Sequence, residues 1–496
     1  LEKRTCQFGR AGKIHGDVFQ RSYLEYTFCQ YHCENMASVE HFTCPACTPN
    51  MIALCADGNR KQYRFRQSKG SEQPYFDGTF IAKDAEVQHF VEEIRSKMKS
   101  TAGRGICGAS QWSAARETAR RASKLDEEGI EVVVCRHGVL LKALNMYRGE
   151  IFAYPLFLQK ELQAATNGQF FCTDIACKYW PYLEKLSVSM SELRPLLQMR
   201  PFLSVMHAKA HSTKCEIIWS GKNQEGAGTT AGEEVEMVNS YLSRCALTTK
   251  YMTKSARNDM LTVHAIGWNR RKQEGLHLAL SSRYVKVTCE KAEADSQRLE
   301  DLTNQLGCPE NMVHQWVHDV REWASDDSAG TRCDDQQPLQ ESIEEMFLAV
   351  HHRKASLYNQ TDSNKIRQLR RRKLGEEKKK LFEKIKLYNE QVADEERILE
   401  DKVESRLSVV EGDSGADCLI WPWEVHSRES SNILTKKKIF DVYMSKMRLQ
   451  EEKIILIREM RQHCTYLRKL AWSLRKMMSE MSSGRNSGSL SEEGHR

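Results

Sequence analysis

The chain has 496 residues, which is enough for about three domains of ordinary size. Hydrophobic residues make up 40% and charged residues 28%, a composition typical of a globular protein with long helices. The longest apolar runs are far shorter than the ~20 residues of a membrane span, and the first residues contain no apolar signal-peptide core. The formal net charge of +7 is compatible with nucleic-acid binding and excludes little.

The 17 cysteines do not form the compact framework of a small secreted disulfide protein. Several have metal-ligand spacing instead, so we expect a reducing compartment, the cytosol or the nucleus. The first residue is Leu1, and we therefore expect a fragment or a processed product that lacks an upstream DNA-binding module.

Residues 1–50 are rich in cysteine, histidine and aromatic residues and are predicted to bind structural zinc. The pair Cys44-x2-Cys47 has the spacing of a zinc knuckle. The candidate ligands are Cys29, Cys33, His41, Cys44 and Cys47, with Cys6 as a further candidate. A redox Cys-x-x-Cys site is less favoured, because no βαβ pattern flanks the pair.

Residues 51–320 alternate short β-like runs with helical patterns, which predicts an α/β domain with an insertion at about 68–125. The segment Met51–Arg66 predicts a β-hairpin with Asp57 at the end of its first strand and a turn at Gly58 and Asn59. Asp57 alone is better explained as an ordinary turn residue.

A second aspartate follows a second short strand. Phe170–Thr173 is predicted as a strand, and Asp174 stands where it ends and a helix begins. Asp174 alone could simply cap that helix. A later helix begins near Glu233 and Glu236, and acidic residues in a first helical turn also have a purely structural explanation.

The segment Pro201–Trp219 predicts a buried strand over 202–206 that runs into a helix. There His207 and His211 would share one face, since residues four apart are neighbours on a helix. Cys215 continues that row, and Cys177 could be a fourth ligand of a second zinc site. The alternative is three polar residues on a partly exposed helix.

Together these elements follow the order of the RNase H-like fold. In that fold the first Asp lies on the first strand, the second on the fourth strand and a Glu on a late helix. Three converging carboxylates can hold two Mg²⁺ or Mn²⁺ ions, which suits phosphodiester cleavage and transfer.

At these same residues the sequence resembles the Kyakuja–Dileera–Zisupton (KDZ) transposases of eukaryotes, over roughly residues 1–260. The resemblance is carried in order by six blocks: Cys44-Pro-Ala-Cys47 with Ala56-Asp-Gly-Asn59; Val134-Cys-Arg-His-Gly138; Arg148-Gly-Glu-Ile-Phe-Ala-Tyr154; Thr173-Asp-Ile-Ala-Cys177; His207-x3-His211; and Gly232-Glu-x2-Glu236. The set of blocks is specific, although each block alone is weak.

The resemblance implies a DDE-type transposase in which Asp57 and Asp174 bind the metal ions. It places the third acid at Glu233 or Glu236, with Glu233 preferred because it directly follows the glycine. An Asp often precedes this block in the family, whereas Ala231 stands here, which leaves activity open. Asp77 is a rival for the first acid. The motif around Cys135 and His137 is either a structural turn or a device that positions the core.

Residues 321–340 are predicted as a linker and 341–481 as antiparallel coiled-coil helices, followed by a disordered tail at 482–496. A basic block between Arg367 and Lys380 is either the solvated face of a charged helix or a phosphate-binding arm.

The sequence thus predicts a nuclear DNA transposase, or a protein derived from one, that binds DNA and forms homo-oligomers through its coiled coils. The first alternative is a domesticated DNA- or chromatin-binding protein without catalysis. The second is a coiled-coil scaffold that retains the α/β part only as an inherited domain.

Overall fold

The computed structural model describes residues 16–66, 73–97, 124–209, 211, 213–307, 309–325, 364–408 and 433–486, with a few residues between 339 and 354 and residues 421–422. The chain divides into two compact units. Unit 1 comprises Leu1–Ser212, Trp219–Glu290 and Arg448–Arg496, and unit 2 comprises Thr213–Ile218 and Lys291–Met447.

The described strands confirm the predicted α/β class. They are β1 (Ala53–Asn59), β2 (Arg64–Phe65), β3 (Leu125–Glu127), β4 (Gly129–Cys135), β5 (Leu140–Met146), β6 (Phe170–Cys172) and β7 (Arg200–Phe202). Five of them form a mixed sheet in the order β5-β4-β1-β6-β7, and β2 pairs with β3 separately. Within the larger sheet β4 is antiparallel to β5 and β1, whereas β1, β6 and β7 are parallel.

The described helices belong to both units. They are α1 (Gly16–Met36), α2 (Asp84–Lys97), α3 (Ala153–Thr166), α4 (Ala176–Ser189), α5 (Val205–Ala208), α6 (Thr213–Trp219), α7 (Glu234–Leu242), α8 (Ala246–Thr249), α9 (Lys254–Glu274), α10 (Leu276–Val285), α11 (Ala292–Gln305), α12 (Val313–Ser325), α13 (Asn364–Asn389), α14 (Glu400–Ser408) and α15 (Ile433–Asn486). Among the described residues, no helix has the length and apolarity that a membrane crossing requires.

Alternation along the buried strands builds the core of unit 1 on both faces of the sheet. On β1, Leu54 and Ala56 join a cluster with α2, α3 and α4, whereas Ala53 and Cys55 join a cluster with α7 and α9. The helix α2 falls inside the predicted insertion at about 68–125, yet Val87 and Ile94 are completely buried there, so part of that segment belongs to the core.

The predicted hairpin at Asp57 is wrong. β1 continues through Asp57 and Gly58, and its antiparallel partner is β4, where Val132 faces Asp57 in the register. Strand β2 pairs instead with β3. The Asp-Gly pair favours a turn locally, but the fully buried strand β4 provides a longer ladder of hydrogen bonds.

The predicted strand over 202–206 is also shorter than expected. β7 ends at Phe202, and the four-residue helix α5 begins at Val205. Because α5 ends at Ala208 and α6 begins only at Thr213, His207 and His211 do not share one helix face. β7 is an edge strand, which is where a proline such as Pro201 is tolerated.

The long helix α15 extends to Asn486, past the predicted start of a disordered tail at Ser482. Its Leu449 and Leu456 pack in the core of unit 1, while Leu381 and Ile385 of α13 pack in a separate cluster of unit 2. The antiparallel coiled coil therefore stays a prediction. Residues 321–325 of the predicted linker are helical, as the end of α12.

Several predictions fall outside the described residues. They concern Cys6, residues 98–123 of the predicted insertion, residues 326–338 of the linker, residues 409–420 and 423–432 of the predicted coiled-coil region, and residues 487–496 of the tail.

Candidate functional site

The two predicted aspartates lie next to each other because of the sheet order. β1 and β6 are adjacent parallel strands, and Cys55 is the register partner of Cys172. Asp57 and Asp174 each follow two residues later, so both reach the same carboxyl-terminal edge of the sheet. That edge is where ligands bind in open α/β sheets.

Asp57 is held in place by the helix α7. The amide of Asn239 donates to Asp57 Oδ2 at 2.6 Å, and Asn59 donates to the Asn239 carbonyl oxygen at 3.0 Å. Burial, followed by the negative charges of Asp174 and Glu236, raises the pKa of Asp57 well above its ordinary value. A buried carboxyl group beside other acids is a place where a cation would be strongly stabilised.

Asp174 lies beside a histidine and a glutamate. His207 Nδ1 is 3.1 Å from Asp174 Oδ1, and His207 Nε2 is 4.0 Å from Glu236 Oε1. Ser204 Oγ donates to Asp174 Oδ1 at 3.3 Å. Burial raises the pKa of Asp174, although His207 opposes that shift. One ligand atom from each of Asp174, His207 and Glu236 lies within 4.8 Å of the others, so the three could hold a metal ion.

The structure separates the two candidates for the third acid. Glu233 is the N-cap residue of α7, and its Oε1 accepts a hydrogen bond from the Met206 backbone N–H at 2.7 Å. Glu236, one turn later, is the acid whose charge acts on both Asp57 and Asp174. Gly232, with φ of +80°, sets this helix start closely against β6, because an added Cβ would lie 2.5 Å from Cys172 Sγ.

A cavity of about 180 Å³ opens at this edge, and we call it the acidic pocket. Its lining includes Asp57, Glu131, Glu150, Thr173 and Asp174. Burial, then the charges of Asp57 and Glu150, raises the pKa of Glu131 well above its ordinary value. Because Gly58 has no Cβ, Glu131 Oε2 and Glu150 Cγ can approach it closely, with an added Cβ only 3.0 and 3.1 Å away.

Sequence reasoning missed Glu131 and Glu150. Glu150 stands in one of the family-like blocks, which is a signal for its position, whereas Glu131 is an acid within an otherwise apolar strand. The rival Asp77 is not among the residues that line the pocket; its side chain is 57% exposed and lies 3.9 Å from Lys83 Nζ.

A second group of ligand-type residues, the Cys/His cluster, contains Cys44, Cys47, Cys135 and His137. His137 Nδ1 lies 3.5 Å from Cys44 Sγ and 4.0 Å from Cys135 Sγ. A tetrahedral zinc ion with bonds of about 2.3 Å to sulfur and 2.0 Å to nitrogen separates its ligand atoms by about 3.5–3.8 Å. Three buried thiols and one imidazole at this spacing could hold zinc.

The Cys/His cluster differs from the predicted ligand set. Cys44 and Cys47 belong to it, but Cys29 and Cys33 are exposed on α1, and His41 Nε2 lies 3.2 Å from Glu34. Cys135 and His137 were singled out as a motif but not as ligands. Chain spacing did not connect them with Cys47, since Cys135 lies 88 positions after it (135 minus 47).

Within unit 1, two members of the predicted second zinc site, Cys177 and His211, lie together, and a third, His207, does not. In unit 1, Cys177 Sγ lies 3.5 Å from His211 Nδ1. His207 lies instead beside Asp174, and Cys215 is a buried residue of α6 in unit 2.

Comparison with known proteins finds a family match for the central region. Residues 50–269 match the model of the Kyakuja-Dileera-Zisupton (KDZ) transposase family. The resemblance predicted from the sequence is thereby confirmed over residues 50–269, and this matched region contains the acidic pocket and two members of the Cys/His cluster. Neither a curated protein nor a solved structure matches the chain.

Proposed function

We propose that this protein is a DDE-type DNA transposase, or a close descendant of one, whose acidic pocket carries out metal-dependent strand cleavage and transfer. The observation that supports it most directly is the adjacency of Asp57 and Asp174 at one sheet edge, inside the KDZ transposase domain. The family implies action on DNA, and the nucleus is the compartment that we propose.

We further propose that the core is RNase H-like. In support, the first aspartate lies on the first strand of the five-stranded sheet, the second directly follows its fourth strand, and the glutamates lie on the later helix α7. Helices on both faces of that sheet protect its strands and leave the carboxyl-terminal edge accessible.

Asp57, Asp174 and Glu236 are the residues that would hold Mg²⁺ or Mn²⁺, and their hard oxygen donors suit either ion. When bound, the ions supply activation of a water or a 3′-hydroxyl and stabilisation of the leaving oxygen. The chain itself supplies orientation: Asn239 fixes the Asp57 carboxylate, and His207 with Ser204 fixes Asp174. Glu131 and Glu150 add negative charge that a bound cation would offset.

We propose Glu236 rather than Glu233 as the third acid. A carboxylate that already accepts a backbone hydrogen bond at 2.7 Å would have to break it to bind metal. Glu236 is 45% exposed and lies near His207, so it can reach a cation without losing such a bond.

The proposed partners are the DNA ends and a second copy of the chain. Oligomerisation through α15 would use its exposed part, where Leu467 and Leu474 are 46% and 43% exposed, because Leu449 and Leu456 are buried within unit 1. The basic block on α13 contains ion pairs such as Arg372 with Glu376, which favours a solvated face over a phosphate-binding arm.

The second candidate is a non-catalytic DNA- or chromatin-binding descendant. The observation in its favour is Ala231, where the family often has an Asp before the Gly-Glu pair. The retained acids of the pocket argue for the catalytic function instead.

The test is cleavage and transfer of a labelled DNA end with Mg²⁺ or Mn²⁺. We expect Asp57→Asn, Asp174→Asn and Glu236→Gln each to lose at least about a hundredfold in rate, which corresponds to about 2.7 kcal/mol. Glu233→Gln and Asp77→Asn are the controls and should retain most activity. Salt-dependent DNA binding without cleavage under any metal would support the non-catalytic descendant.

A further inference from the structure

The C-terminal helix contacts the Cys/His cluster from outside. Glu459 Oε2 lies 3.2 Å from His137 Nε2, on the side of the ring opposite Nδ1. Arg136, between the two ligands Cys135 and His137, donates to Glu452 Oε1 at 2.5 Å, and its Nε lies 3.5 Å from Glu459 Oε1. The helix α15 therefore contacts the ligand turn through two acids.

The same helix also reaches the other ligand segment. Gln462 Nε2 donates to the Thr48 carbonyl oxygen at 3.0 Å. Thr48 Oγ1 in turn accepts a hydrogen bond from the Cys44 backbone N–H at 3.0 Å. Residues 452–462 of α15 thus contact both halves of a cluster whose members are far apart in the chain.

These contacts are buried, so losing one partner would lower the stability of the folded protein. The side chains of Glu459 and His137 are 2% and 6% exposed, and those of Arg136 and Glu452 are completely buried. A buried carboxylate that loses its partner is costly, because water cannot replace the lost interaction.

A carboxylate on the outer nitrogen has a specific effect on a metal-binding histidine. It accepts a hydrogen bond from the N–H at that nitrogen, which leaves the other nitrogen unprotonated and directed at the metal, and it makes the ring a stronger ligand. His137 Nδ1 faces the sulfur atoms of Cys44 and Cys135 while Nε2 faces Glu459, which is the arrangement that this effect requires.

We propose that Glu459 is the outer carboxylate of the Cys/His cluster, so that zinc binding and the docking of residues 448–463 of α15 strengthen each other. Glu459 acts as a positioning residue, through His137. Because coupling between two equilibria is reciprocal, whatever zinc adds to docking, docking adds to zinc affinity. The proposal depends on zinc binding by the cluster and not on DNA cleavage.

The experiment compares Glu459→Gln with Glu452→Gln in the full chain, by zinc competition with a chromophoric chelator. Both variants remove one buried negative charge from α15 beside Arg136, but only Glu459 contacts His137. We expect Glu459→Gln to weaken zinc affinity by about 10–100-fold. Glu452→Gln should cause a clearly smaller loss.

Hydrogen exchange supplies the second measurement. Removing zinc from the wild-type chain should speed backbone exchange at 448–463, while exchange at 474–486 of the same helix stays unchanged. Equal zinc losses in the two variants, unchanged exchange at 448–463, or a wild-type chain that binds no zinc would each overturn the proposal.

Discussion

The acidic pocket and the Cys/His cluster both include a residue of β4, yet their environments are opposite. Glu131 lines a pocket of oxygen donors in which Asp174 remains 25% exposed, and Glu236, near Asp174 but not part of the lining, is 45% exposed. Cys135 joins soft donors that are buried, with a carboxylate behind the histidine. The first arrangement suits a hard ion that exchanges with solvent, and the second suits a structural ion that stays.

This difference indicates how the fold can contain the acidic pocket, whose buried acids are unfavourable for folding. Burial, and then repulsion between the clustered acids, raises the pKa of Asp57 and Glu131, so ionising these carboxyl groups disfavours the folded state. The Cys/His cluster and its contacts with α15 would offset this loss of stability, because the cluster and the acidic pocket share strand β4. A functional site that is unfavourable for folding generally persists only because the surrounding structure holds it in place.

The largest expected effect concerns the contacts between Arg136 and the helix α15. Arg136→Met removes the completely buried cation that Glu452 and Glu459 share, leaving Glu452 with the partly exposed Arg283, and should lower the free energy of unfolding by about 3–5 kcal/mol. The control is Arg270→Met, whose pair with Glu34 is 46% and 27% exposed and should cost at most about 1 kcal/mol. Denaturant unfolding with unchanged m-values measures both. Similar small losses in the two variants would contradict the supporting role.

Removal of zinc should come next in size. At zinc concentrations about 100-fold above the dissociation constant, binding contributes about 2.7 kcal/mol, so a zinc-selective chelator should lower the melting temperature. Cys135→Ser should be insensitive to the chelator, whereas Cys245→Ser, a buried cysteine outside the cluster, should respond as wild type does. A chelator response that survives in Cys135→Ser would remove that residue from the ligand set.

The smallest effect concerns the acidic pocket and depends on pH. Burial and neighbouring acids raise the pKa of Asp57 in the folded state, so between the unfolded value of about 3.9 and that raised value the folded state holds more protons. Stability of the metal-free protein should therefore fall as pH rises through this window.

Asparagine stays uncharged at every pH, so replacing Asp57 with it should remove this loss of stability. Asp57→Asn should raise the melting temperature of the metal-free protein at neutral pH by about 2–4 °C, equivalent to about 1 kcal/mol. The gain should vanish near pH 4 and shrink when Mg²⁺ is added to the wild type. The control is Asp77→Asn, because Asp77 is far more exposed. An equal rise in its melting temperature would contradict the explanation by burial of Asp57.

The sequence predicted those parts of the site that follow from strand ends. Asp174 stands after a strand and before a helix, as predicted, and the α/β class followed from the alternation of patterns. The pairing of β1 with β4 could not be read from Asp57-Gly58, because a local turn signal does not report a strand 70 residues later (129 minus 59). The choice between Glu233 and Glu236 required the actual cap of α7.

The sequence did not predict the partners of the long helix α15 either. Its 3–4 spacing correctly indicates an apolar stripe, but such a stripe does not specify what covers it. Leu449 and Leu456 fill one core cluster of unit 1 and Ile455 fills the other. Glu452 and Glu459 fall within the same stretch and find buried arginine and histidine partners that no sequence spacing indicates.

That docking has a consequence for how the protein is made. The sheet strand at Asp57 and the docking segment that begins at Arg448 are separated by 391 positions (448 minus 57). At about 5–20 residues per second, a ribosome needs about 20–80 s between them. For that interval the nascent domain lacks Leu449 and Leu456, which complete its core, so a chain that ends before Arg448 would expose apolar surface and be prone to aggregation.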